Sequence, residues 1–63
     1  MALKTGLNLA DPDGFYERLI DLHHGLSEEQ SKLVNAKLIL LLANHIGERE
    51  VLDAAFKAAR ADL

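Results

Sequence analysis

Ser27-Glu28-Glu29-Gln30-Ser31-Lys32-Leu33-Val34-Asn35-Ala36-Lys37-Leu38-Ile39-Leu40-Leu41-Leu42-Ala43-Asn44-His45-Ile46-Gly47 is the stretch on which the fold turns. It opens on a capping box. The Ser27 hydroxyl and the Gln30 side chain, three residues apart, can each satisfy a free backbone N–H of a first helical turn. It closes on Gly47, a residue that takes the left-handed conformation a helix stop requires. Between them the apolar residues fall into two stripes at about 100° per residue. Leu33, Ala36, Leu40 and Ala43 make one; Val34, Leu38 and Leu41 make the other, with Ile39, Leu42 and Ile46 between them. Gln30, Lys37 and Asn44 form the only clear polar stripe in the last two-thirds of the segment. A helix apolar on nearly every side is a central helix.

Two shorter amphipathic segments flank it. Asp11-Pro12 is a helix start, because Asp accepts from free N–H groups and Pro has no N–H to leave unpaired. That helix is predicted over residues 12–24, stopping at Gly25, with Leu26 folded back on its last turn. Phe15, Tyr16, Leu19, Ile20 and Leu22 form its predicted core side. The third helix is predicted over 48–61, with Val51, Leu52, Ala55, Phe56 and Ala59 turned inward. Connections of a few residues favour antiparallel neighbours. The expected architecture is therefore all-α: a small antiparallel three-helix bundle over residues 11–63, with an extended N-terminal arm over 1–10.

Two readings of the central helix stand side by side. In the first, each flanking helix covers one stripe and the unit closes on itself. In the second, two short helices cannot cover it, and part of it meets a second chain. With 63 residues and no cysteine, the chain has little stability in reserve and no disulfide to add. This favours self-association or a protein partner.

Composition narrows the function classes. A net charge of −3 opposes both a phosphate-backbone binder and a basic membrane-surface helix. Leu38 to Ala43 is the longest apolar run, far short of the ~20 residues that span a bilayer. The N-terminus lacks a basic region followed by an apolar core. The expectation is a cytoplasmic protein with neither nucleic acid nor membrane as partner.

Candidate chemistry is sparse. His23, His24 and His45 are too far apart along an antiparallel hairpin to converge on zinc, so no metal is expected. His24 and His45 suit the exposed carbonyls of helix ends. His23 projects among Tyr16, Leu19 and Ile20 and reads as a packed residue with one satisfied nitrogen, or else an interface residue. Asn44, His45, Glu48 and Arg49 cluster at the turn between the second and third helices. This is where a recognition site would lie, although a glycine-capped turn with surface charges accounts for the same residues. No phosphate loop, nucleophile motif or stacking platform is present, so neither a cofactor nor catalysis is expected. The residues expected at an interface are Val34, Leu38, Leu40, Leu41 and His23, in a homodimer or against a larger protein. The alternative is a small ligand-binding or sensing protein using the Asn44–Arg49 turn or His23.

Three stretches together, Asn8-Leu9-Ala10-Asp11-Pro12-Asp13-Gly14-Phe15-Tyr16, Gly25-Leu26-Ser27 and Leu40-Leu41-Leu42-Ala43-Asn44-His45-Ile46-Gly47, resemble a bacterial family of short proteins. It is classed as domain of unknown function 2783. The resemblance runs from about Leu7 to Ala59 and carries no catalytic residues. It implies an accessory or small-subunit role beside flavin-dependent aromatic-ring hydroxylases and related degradative enzymes.

Overall fold

The computed structural model describes residues 3–63, which form three α-helices and no strand. Met1 and Ala2 of the expected arm lie outside the described residues; residues 3–10 precede the first helix without regular structure.

Helix α1 spans Pro12–Leu22. Asp11 caps it, its Oδ1 accepting from the Gly14 N–H at 3.1 Å, with Pro12 as the first helical residue. The helix ends two residues before the expected His24. The N–H groups of His23 and His24 donate three residues back, to the Ile20 and Asp21 carbonyls, which tightens the last turn. Gly25 then turns the chain at φ 78°, a value that costs a residue with a Cβ.

Helix α2 spans Glu28–Ile46. Both arms of the capping box form: Gln30 N–H to Ser27 Oγ at 3.1 Å, and Ser27 N–H to Gln30 Oε1 at 3.0 Å. Gly47 closes the helix at φ 74°, its N–H donating to the Ala43 carbonyl at 2.8 Å. Helix α3 spans Arg49–Arg60, one residue shorter at each end than expected. Its cap, Glu48, makes no side-chain hydrogen bond to the first turn.

Helices and caps follow the sequence; packing departs from it. Only α2 and α3 approach closely, and α1 makes no close backbone contact with either. No described residue is fully buried. Leu19, Val51, Leu52 and Ala55 are half-buried, whereas Phe15, Tyr16, Ile20, Leu22, Phe56 and Ala59, all expected inside, are exposed. Length supplies the reason. Helices of 11 and 12 residues reach about 16–18 Å, against about 28 Å for the 19 of α2. Because α1 does not close on either of the other helices, its own apolar side and most of that of α2 stay open.

Two global quantities agree. The radius of gyration is 13.4 Å, where a compact chain of this length has about 10.6 Å. The accessible surface is 5987 Å², against ~4,000 Å² for a folded monomer of this mass. About one-third of the exposed surface is thus in excess of what a closed monomer shows.

Candidate functional site

On α2 the half-buried residues Ser31, Val34 and Leu38 share one side. At about 100° per residue, the opposite side carries Leu33, Ala36, Leu40 and Ala43, with Ile39 and Ile46 along one edge of it. Of these only Ala43 is half-buried; Leu40 is the most open, at 70 %. A polar edge of Gln30, Lys37 and Asn44 separates this face from Leu41, which is 69 % exposed. Among the residues expected at an interface, Val34 and Leu38 therefore sit on the half-buried side. Leu40 and Leu41 stand open on either flank of the polar edge.

His23, the fifth, is half-buried and bonded through both ring nitrogens. Nδ1–H donates to the Leu19 carbonyl, 2.8 Å away in the last turn of α1. Nε2 lies 2.8 Å from the Asn35 side-chain amide oxygen on α2. An amide can meet this nitrogen in either protonation state, offering its oxygen to an N–H or, turned over, its NH₂ to a lone pair. The expected single satisfied nitrogen is corrected to two. This side chain joins the end of α1 to α2, which the backbone of α1 itself does not touch. Asn35 gave no signal in the sequence, because its role depends on how the two helices meet. The helix-end role expected of His24 falls to His23 instead.

The turn residues Asn44, His45, Glu48 and Arg49 are all exposed around Gly47. They make no hydrogen bond or ion pair with one another among the described residues. An open hollow of about 220 Å³ lies against α1, lined by Asp11, Gly14, Phe15 and Arg18. It is smaller than the roughly 300–1,000 Å³ of ordinary ligand pockets. No group of three or more His, Asp or Glu side chains among the described residues is placed to hold a metal ion. No helix among them is long and apolar enough to cross a membrane.

These features define a class: a small three-helix, all-α domain whose most developed surface is an open apolar helix face. The chain belongs to the family of proteins of unknown function DUF2783, whose model matches residues 3–61. No curated protein and no solved structure matches it.

Proposed function

We propose that this chain is a helical interaction module without catalytic activity of its own. It works by self-association or as the small accessory subunit of a larger enzyme. One observation carries the reading: among the described residues none is fully buried, while fourteen large apolar side chains are exposed. Six of them, Leu33, Ile39, Leu40, Leu41, Leu42 and Ile46, lie on α2, and large exposed apolar patches mark interaction surfaces. Folding must offset the loss of conformational entropy chiefly through apolar burial. A chain that buries so little alone is expected to complete that burial on another surface. The acidic net charge supports a protein as that surface, since it opposes a phosphate backbone or an anionic membrane. Following the family resemblance, a flavin-dependent aromatic hydroxylase is the larger partner to look for first.

Native mass spectrometry of the protein taken from its own cells tests this. A stoichiometric complex is expected, either of several copies of this chain or of this chain with one larger protein. A free 6.9 kDa chain that keeps its helices and carries no protein partner would contradict the reading.

A further inference from the structure

The open face of α2 has a pattern that fits a second copy of itself. Leu33, Ala36, Leu40 and Ala43 are spaced three, four and three residues apart, the spacing of a coiled-coil seam. The seam alternates large and small side chains. Set antiparallel against an identical helix, its layers pair Leu33 with Ala43 of the second copy, and Ala36 with Leu40 of the second copy, then the reverse. Each layer joins one leucine to one alanine, the large-against-small filling that packs best across facing positions. A parallel arrangement would instead stack leucine on leucine and alanine on alanine. The alanines let the two backbones approach closely, and Ile39 and Ile46 close one flank. On the other flank, Gln30 lies opposite Asn44 of the second copy, where two amides can pair.

We infer that this face is a two-fold interface, in which two copies of the chain pair α2 antiparallel along Leu33, Ala36, Leu40 and Ala43. The inference rests on the interaction-module reading and names its partner. Area supports the choice of a second copy. Stable obligate dimers bury about 2,000–5,000 Å² in total, so each protomer loses roughly 1,000–2,500 Å². The whole chain exposes a surplus of roughly 2,000 Å² over a compact monomer, enough to supply that area with the α2 face as one part of it. Of the four seam residues Leu33, Ala36 and Leu40 are exposed in the single chain, and only Ala43 is already half-buried.

Because the chain has no cysteine, single spin labels can be placed at Glu28→Cys and Lys37→Cys, both exposed and outside the seam. The layer pairing puts the two-fold axis level with residue 38. Two labels at 37 therefore lie nearly side by side. Labels at 28 are ten residues from the axis in each chain, and so about 30 Å apart along the pair. Double electron–electron resonance is expected to give a short distance at 37 and one beyond about 30 Å at 28. Equal short distances at both positions would mean a parallel pair and overturn the inference. So would a dimer, confirmed by sedimentation, with no short distance at 37; self-association would survive, on another face. If both labelled variants and the unlabelled chain sediment as monomers, the second copy is excluded. The interaction-module reading would then stand or fall on the native mass spectrum alone. Unlabelled protein run beside each variant shows whether labelling itself changes the mass.

Discussion

His23 links the end of α1 to α2. It holds the Leu19 carbonyl with one nitrogen and the Asn35 amide with the other, and α1 has no close backbone contact with the remaining helices. Asn35→Ala removes the second bond and leaves the first. A net hydrogen bond contributes about 0.5–1.5 kcal/mol, and an exposed one the lower part of that range. In a domain this small the melting temperature should fall by roughly 2–8 °C, with helical circular dichroism almost unchanged. An unaltered melting curve would mean the bond does not restrain α1. The histidines also bear on metal binding. A ligand held by the native state raises its stability by mass action. Stoichiometric zinc, or a chelator, is therefore expected to leave the melting temperature where it is; a clear rise with zinc would point to a site bridging two chains.

At the scale of the element, α2 carries both the internal packing of the chain and its open face. Leu40→Asp places a charge in the proposed seam, where an unpaired charge in an apolar contact is costly. Since Leu40 is exposed in the single chain, the substitution should lower the sedimenting mass to that of a monomer. A mass unchanged by Leu40→Asp would remove that seam. Lys37 gives a second test. In an antiparallel pair it lies near Lys37 of the second copy, and this like-charge contact is relieved by screening. Association should accordingly tighten by a few-fold as salt rises from ~50 to ~500 mM, and Lys37→Gln should change that dependence without abolishing it, because two chains of net charge −3 also repel. Capping of α2 is separable from both: Ser27→Ala should cost about 1 kcal/mol of stability, read as a lower melting temperature at fixed protein concentration. The elements themselves were legible because their signals are local. Ser27 with Gln30, Asp11-Pro12 and Gly47 each act within one turn of helix and where expected, whereas Gly25 turns the chain beyond a helix that has already ended at Leu22. Which stripe of α2 turns inward was not legible. Both stripes are apolar, and the choice is made by where α1 and α3 lie. The His23–Asn35 bond was hidden for the same reason, as it spans twelve residues and follows no helical spacing.

For the molecule as a whole, the question is what completes a core that one chain leaves open. Its accessible surface of 5987 Å² exceeds that of a compact monomer by roughly half. Domains of ordinary stability hold only about 5–15 kcal/mol in reserve, and this one has neither disulfide nor described metal cluster to add to it. Symmetric dimers are the commonest closed assemblies and use one self-complementary patch on both subunits. Folding and association are then linked, and stability depends on protein concentration. The direct measurement is analytical ultracentrifugation with parallel melting curves across about a hundredfold dilution around micromolar concentration. The account predicts a species of twice the 6.9 kDa chain mass that dissociates on dilution, with a melting temperature that falls as it does. A compact monomer throughout, with a melting temperature independent of concentration, would contradict it.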